Sequence, residues 1–159
     1  TKFNNPHEIE VAMALFQQVW DPGEAGGWFQ DMNQNPPDGM ESKDVLLQVA
    51  IGDAQVTTLG AHVMARAYGA STIAPETRPI WGVPEAESGH RGSAIVEWEY
   101  PDGATEPFEN IPPEPALDTH ECPRREPAAQ QQIRTFFELG VVEQTCDGRC
   151  VSQRKGLCD

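Results

Sequence analysis

Two side chains, Asp53 and His120, are of the types that acid–base catalysis uses. Asp53 follows Gly52 directly after an apolar run over 45–51, and in open α/β sheets functional groups gather beyond the carboxyl ends of the strands. His120 lies between a second strand-like run and the last predicted helix. An imidazole is the usual general base near neutral pH, and a carboxylate can orient it. The sequence therefore predicts that these two residues are the acid and the base of nucleophilic catalysis.

Each residue also has an ordinary structural interpretation. Asp53 can cap the helix that is predicted to begin near Thr57, and a loop histidine such as His120 is often only solvated. The order strand, Asp53, helix, strand, His120, helix favours catalysis, because α/β-hydrolase triads follow along the chain as Ser, then Asp or Glu, then His. The nucleophile is missing, since the motif Gly-x-Ser-x-Gly occurs at none of the serines of the sequence.

The apolar pattern predicts the element order helix, strand, helix, strand, helix. The helices span 6–20, about 57–69 and 127–140, and the strands span 45–51 and 93–99. Both strands are of the type that is buried on both faces of a parallel sheet, so we expect an α/β fold. Residues 70–92 are predicted to be irregular, and 100–125 to form a Pro-rich loop. Because sheets usually have about four to six strands, two strands predict an incomplete sheet.

The helices are predicted to bury apolar positions spaced three or four residues apart. These positions are Ile9, Ala12, Met13, Phe16 and Trp20 in the first helix, Leu59, Val63 and Ala67 in the second, and Ala129, Ile133, Phe136 and Phe137 in the third. Trp98 and Trp20 are both predicted to lie in the core. Trp28 and Trp81 have two open interpretations, since they can line an acyl pocket or simply cover the sheet.

The composition excludes several classes of function. Among 159 residues, 25 are acidic and 11 basic, and the formal net charge of −14 disfavours nucleic acid and anionic membrane surfaces as partners. No apolar run approaches the roughly 18 residues that a membrane span needs. We expect neither a cofactor nor a metal site.

Four cysteines predict disulfides and, with them, an exported protein that is secreted or periplasmic. Cys146 and Cys150 can close a small loop, while Cys158 can pair with Cys122 or with a cysteine upstream. A zinc site is the alternative, but the tail lacks neighbouring histidines and paired C-x2-C spacings. Cys122 is a poor nucleophile candidate, because a position two residues after His120 does not readily bring the thiol within reach of the imidazole.

Five segments carry a resemblance to a known group of proteins. They are Trp-Asp-Pro-Gly-Glu at 20–24, Val-Leu-Leu-Gln-Val-Ala-Ile-Gly-Asp at 45–53, Ala-Arg-Ala-Tyr-Gly at 65–69, Gly-Ser-Ala-Ile-Val at 92–96 and His-Glu-Cys-Pro-Arg-Arg at 120–125. Together they resemble the C-terminal half of secreted bacterial α/β-hydrolase-like proteins, which are described as lipases or esterases. The group often has a His after the Gly-Asp pair, where this chain has Ala54.

The resemblance implies the C-terminal part of an α/β-hydrolase fold, with Asp53 and His120 as acid and base of a Ser-His-Asp triad whose Ser lies upstream. It divides the chain into a cap-like helix and loop (1–42), a hydrolase segment (43–140) and a Cys-containing tail (141–159). The implied partners are an N-terminal hydrolase half and a small ester or lipid-like substrate, and the chain alone is expected to be inactive. The alternative is a non-catalytic exported binding or interaction module on a degenerate hydrolase scaffold.

Overall fold

The computed structural model of the protein describes residues 5–106, 117–154 and 158. Its helices and strands follow one another along the chain, with two short 3₁₀ turns between the first two helices. In order they are α1 (Pro6–Trp20), α2 (Phe29–Asn33), β1 (Leu46–Ala50), α3 (Thr58–Ala67), β2 (Ser71–Ile73), β3 (Glu85–Ala86), β4 (Ala94–Trp98), α4 (Cys122–Arg125) and α5 (Pro127–Leu139).

The four strands form one sheet in which every neighbouring pair is parallel, in the order β1-β4-β2-β3. The strand that leads to Asp53 lies at one edge, and its Leu46 stands opposite Ala94 of β4. The predicted α/β fold with a parallel, incomplete sheet is therefore confirmed. The prediction that 70–92 is irregular is wrong, because β2 and β3 lie there. These strands have three and two residues, which is too short for an apolar pattern to reveal them.

The central strand β4 packs on both of its faces. Its alternate residues Ala94, Val96 and Trp98 join a core with Cys122 of α4 and Ala129 of α5. Between them, the buried Ile95 joins a second core with α3 and the end of β1. The sheet thus lies between α3 on one side and α4 and α5 on the other, which is the physical reason for the nearly unbroken apolar strand sequences.

The ends of α3 follow the predicted signals, but its buried face does not. The Thr57 hydroxyl accepts the amide of Gly60 as N-cap. Ala61 and Ala65 are buried, whereas the predicted core residues Leu59 and Val63 are 69% and 46% exposed. Small side chains allow the helix to lie close to the sheet, so spacing correctly predicted the helix and assigned the wrong face to the core.

In helix α5, too, the predicted ends are correct and the predicted buried face is only partly so. Its predicted start at residue 127 and its left-handed cap residue Gly140 are confirmed. Ala129 is buried as predicted and Phe136 packs partly against the core, but Phe137 is 80% exposed. Ile133, which was also predicted to lie in the core, is 37% exposed.

Helix α1 forms at the predicted residues but does not bury its apolar stripe. Asn5 caps the helix by accepting the Glu8 amide, and no residue of α1 is buried. Trp20, predicted to lie in the core, is 64% exposed, whereas Trp98 is buried as predicted. An apolar periodicity specifies a helix with one apolar side, and the pattern does not by itself supply a surface for that side to contact.

Cys146 pairs with Cys150, and Cys122 pairs with Cys158. Both pairs are among the alternatives that the sequence left open. The second bond links α4 to the C-terminal tail across 36 residues. In the part of the chain that the structure describes, no helix combines the length and apolar character needed to cross a membrane.

Candidate active site

The turn that follows β1, residues 51–56, is called the acid turn here because it carries Asp53. Gly52 has a positive φ of 84°, and a Cβ at this position would overlap the carbonyl of Ala104. Glycine is therefore required twice, for its backbone conformation and for the close approach of a neighbouring loop. The Asp53 amide then bonds back to the carbonyl of Ala50, which fixes Asp53 at the carboxyl end of the strand.

The two carboxylate oxygens of Asp53 have separate partners. Oδ1 accepts the amides of Gln55 at 2.7 Å and Val56 at 2.8 Å. Oδ2 lies 2.8 Å from Nδ1 of His120. The side chain is 9% exposed, so both contacts form in a largely desolvated position. One oxygen thus caps the turn that precedes α3 and the other contacts the imidazole, while the helix itself is capped by Thr57 rather than by Asp53.

His120 reaches Asp53 from residues 117–121, which we call the histidine loop. Its neighbour Thr119 is fully buried and donates its hydroxyl to the carbonyl of Ile51 at 3.1 Å. Immediately beyond the loop, Cys122 begins α4 and bonds to Cys158. A buried hydroxyl on one side and a disulfide on the other hold the imidazole, which is 16% exposed, beside the acid turn.

The hydrogen bonds of His120 define which ring nitrogen carries the proton. An ionised carboxylate only accepts, so Nδ1 donates to Asp53. Arginine only donates, and Nη2 of Arg124 lies 3.1 Å from Nε2, which is therefore the acceptor. This neutral tautomer, with a lone pair on the nitrogen that points away from the acid, is the form that a general base requires.

A second carboxylate, Asp118, lies beside the pair. Its Oδ1 accepts the amides of Ala54 and His120, both at 3.1 Å, and its Oδ2 accepts Nε2 of Gln55 at 2.8 Å. Burial opposes the charge on Asp118, but these hydrogen bonds outweigh it and hold the pKa of the carboxyl below its usual value. Asp118 is thus an ionised group that belongs to the same site.

The structure brings together both predicted site residues, Asp53 and His120, and adds two that sequence reasoning missed. Asp118 stands two residues before His120, and a short Asp-x-His spacing is the only signal that could have indicated it. Arg124 lies four residues after His120, and it contacts the imidazole because α4 begins between them. Neither contact follows from spacing without the tertiary arrangement.

A separate ionic cluster lies on the α3 side of the sheet. The Glu97 side chain is 2% exposed and bonds to Nε of Arg78 and to Nε2 of His62, each at 2.7 Å. Arg78 also binds Glu106 at 2.7 Å, and this guanidinium holds the pKa of Glu106 below its usual value. The cluster links α3, β4 and two loops, and it gives His62 of α3 a buried carboxylate partner in Glu97.

A surface cavity of about 470 Å³ adjoins the acid turn. It is lined by residues at the carboxyl ends of β1 and β4 and by the neighbouring loop, including Ile51, Tyr100, Ala104 and Glu106. Ala104 is also the residue that approaches Gly52. The cavity therefore opens at the edge of the sheet that carries Asp53. Within the described ranges, no cluster of three or more His, Cys, Asp or Glu is arranged to hold a metal ion.

Fold and site together define an α/β protein with a carboxylate–imidazole pair at the carboxyl edge of a parallel sheet. Comparison of the chain with protein-family models, curated proteins and solved structures finds no match.

Proposed function

We propose that the chain is the acid–base part of a serine hydrolase of esterase or lipase type, built on the C-terminal part of an α/β-hydrolase fold. The observation that carries the proposal is the 2.8 Å contact between His120 Nδ1 and Asp53 Oδ2 at the carboxyl edge of the sheet. The order of the two residues along the chain and the Nδ1–H tautomer support it. The nucleophile and the oxyanion-hole amides would come from polypeptide outside these 159 residues.

In the proposed reaction His120 moves protons and Asp53 orients it. Nε2 takes the proton of the serine hydroxyl as its oxygen attacks the ester carbonyl, and the imidazolium then gives that proton to the leaving alcohol. In the second half, Nε2 takes a proton from water, hydroxide attacks the acyl-enzyme, and the serine regains its proton as the acid departs. Asp53 keeps its charge throughout and stabilises the imidazolium.

The environment of the pair suits this chemistry. Asp53 and His120 are only 9% and 16% exposed, and a low local dielectric strengthens the attraction between carboxylate and imidazolium. A small ester or lipid-like molecule would be the substrate, as the resemblance to lipases and esterases implies. The two disulfides support an exported location, secreted or periplasmic, because such bonds persist in oxidising compartments.

The test uses a longer protein that contains this chain and an upstream Gly-x-Ser-x-Gly segment. Asp53→Asn keeps an oxygen for the amides of Gln55 and Val56 but presents a donor to Nδ1, so the imidazole adopts the wrong tautomer. We expect Asp53→Asn and His120→Ala each to lower kcat for a short acyl ester by about 10⁴-fold, the loss seen when a serine-protease triad is broken. Turnover of p-nitrophenyl acetate measures the effect.

Exposed residues of the same types, Asp38→Asn and His7→Ala, are the matched controls and should leave kcat unchanged. Near-normal turnover in either site variant would contradict the proposal. The 159-residue chain alone is expected to release no burst of p-nitrophenol, since it lacks the nucleophile motif.

The exposed apolar side chains of α1 favour a second candidate, a non-catalytic binding module on a degenerate hydrolase scaffold. The coding sequence upstream of the chain discriminates between the two. A Gly-x-Ser-x-Gly between a strand and a helix, in a protein that a fluorophosphonate labels at that serine, supports the hydrolase. A protein that carries no such motif and resists the label supports the binding module.

A further inference from the structure

Each residue of the segment 118–120 hydrogen-bonds to the acid turn. The contacts are Asp118 with Ala54 and Gln55, Thr119 with Ile51, and His120 with Asp53. These partners are more than sixty residues apart in sequence, and neither segment is part of a helix or strand. The relative position of acid and base therefore depends on side-chain hydrogen bonds between two loops.

Asp118 is the member of this set that joins the two backbones through a single atom. Its Oδ1 accepts the amide of Ala54, the residue after Asp53, and also the amide of His120. The second oxygen is occupied by the side chain of Gln55. Any separation of the loops would break a hydrogen bond to an ionised carboxylate, which is stronger than one between neutral groups.

We propose that Asp118 is a positioning residue of the candidate site. By binding the amides of Ala54 and His120 on one carboxylate oxygen, it keeps His120 Nδ1 within hydrogen-bonding reach of Asp53. The catalytic meaning of this inference rests on the proposed function, but the positioning itself is a property of the chain alone.

The charge of Asp118 adds to its geometry. Its hydrogen bonds keep the carboxyl ionised in the folded protein, and His120 interacts favourably with that charge. Asp118 is therefore an ionised group placed to hold the base without contacting the reacting atoms.

The experiment observes the contact directly in the folded 159-residue chain. The hydrogen-bonded Nδ1 proton of His120 is followed by ¹H–¹⁵N NMR of ring-labelled protein, and circular dichroism verifies the fold of each variant. Asp118→Ala should lose or broaden this proton resonance, because the loops separate and solvent exchange increases. Asp118→Asn should retain it, because the amide oxygen still accepts both backbone amides.

Two further variants separate positioning from general destabilisation. Asp118→Ser can keep the local bond to the amide of His120 but is too short to reach Ala54, so this variant should also lose the resonance. It provides the test if Asp118→Ala does not fold. Asp102→Ala removes another loop carboxylate that accepts a distant amide, that of Arg154, and should retain the resonance. A wild-type resonance in folded Asp118→Ala or Asp118→Ser, or its loss in folded Asp118→Asn, would overturn the inference.

Activity of the longer protein distinguishes this inference from the proposed function. Asp118→Ala should lower kcat by roughly 10- to 100-fold with little change in KM, the usual cost of losing a group that orients a catalytic residue, and Asp118→Asn should restore most of it. If Asp53→Asn keeps full turnover while Asp118→Ala loses the Nδ1 resonance, the hydrolase proposal fails and the positioning role stands. If Asp53→Asn is inactive while Asp118→Ala keeps both normal turnover and the Nδ1 resonance, the hydrolase proposal stands and the positioning role of Asp118 fails.

Discussion

The two nitrogens of His120 have opposite environments. Nδ1 faces the buried carboxylate of Asp53, and Nε2 faces the guanidinium of Arg124, whose side chain is 63% exposed. Arg124 also binds Glu121 at 2.7 Å, which holds it over the imidazole. In the proposed mechanism a serine hydroxyl would need the same lone pair, so Arg124 would have to move aside before His120 acts as a base, and the exposure of its side chain favours that movement.

Removing this guanidinium should therefore make Nε2 more reactive. We expect Arg124→Ala to accelerate carbethoxylation of His120 by diethyl pyrocarbonate several-fold, because the reagent attacks the unprotonated nitrogen that Arg124 covers. Peptide mapping by mass spectrometry measures the rate at this histidine. Arg134→Ala removes an exposed arginine of α5 and should leave the rate unchanged. An unaltered rate in Arg124→Ala would show that the contact does not protect the ring.

At the scale of elements, the site depends on how β1 ends. The strand must leave the sheet within two residues, and Gly52 makes this possible through its positive φ and its close approach to Ala104. The turn places Asp53 beyond the carboxyl end of the edge strand, within reach of the loop that leads into α4. A local change in the backbone of the acid turn would therefore move the Asp53 carboxylate away from the His120 imidazole without altering the sheet.

Gly52→Ala tests this dependence. A side chain in the left-handed region costs on the order of 1–3 kcal/mol, and here the added Cβ also overlaps a backbone carbonyl. We expect the free energy of unfolding, measured by urea titration, to fall by at least about 1 kcal/mol. Gly23→Ala is the matched control, because its Cβ would meet no atom within 4 Å, and it should cost far less. Equal effects of the two substitutions would contradict this account of the turn.

At the scale of the whole molecule, ionised carboxylates connect distant parts of an acidic chain. Glu106 is tied to β4 through Arg78, and Asp118 joins the two loops of the site. Both carboxyls have pKa values below their ordinary values of 4.5 and 3.8. The folded protein thus binds protons at these groups less readily than the unfolded chain does, and their contribution to stability is present above the ordinary pKa values.

Stability should consequently decrease as the pH falls through about 4.5 and below, since the unfolded state then gains protons before the folded state. We expect the free energy of unfolding of Glu106→Gln to depend less steeply on pH between about 3 and 5 than that of the wild type. Urea titrations at a series of pH values give the two slopes. Exposed Glu10→Gln serves as the control and should keep the wild-type slope. Identical slopes for Glu106→Gln and the wild type would exclude this contribution.

Much of the fold was predictable because its signals are local. The apolar stretches around β1 and β4, the caps Thr57 and Gly140, and Pro127 at the start of α5 each lie within or next to the element that they specify. The candidate pair was also predictable, because Asp53 and His120 each follow a strand-like segment and occur in the order of a hydrolase triad. Cysteine spacing left the correct disulfide pairing among its alternatives.

What the sequence by itself determined is therefore the set of long elements, the α/β class and two residues worth pairing. Only the tertiary structure decided that β2 and β3 exist, because such short strands are defined by their neighbours' hydrogen bonds rather than by their own composition. It also decided the buried helix faces, since the small residues of α3 rather than Leu59 face the sheet. Finally, it brought Asp118 to Ala54 across 64 positions and His120 to Asp53 across 67. Contacts over such separations arise from how the whole chain packs, and no local pattern encodes them.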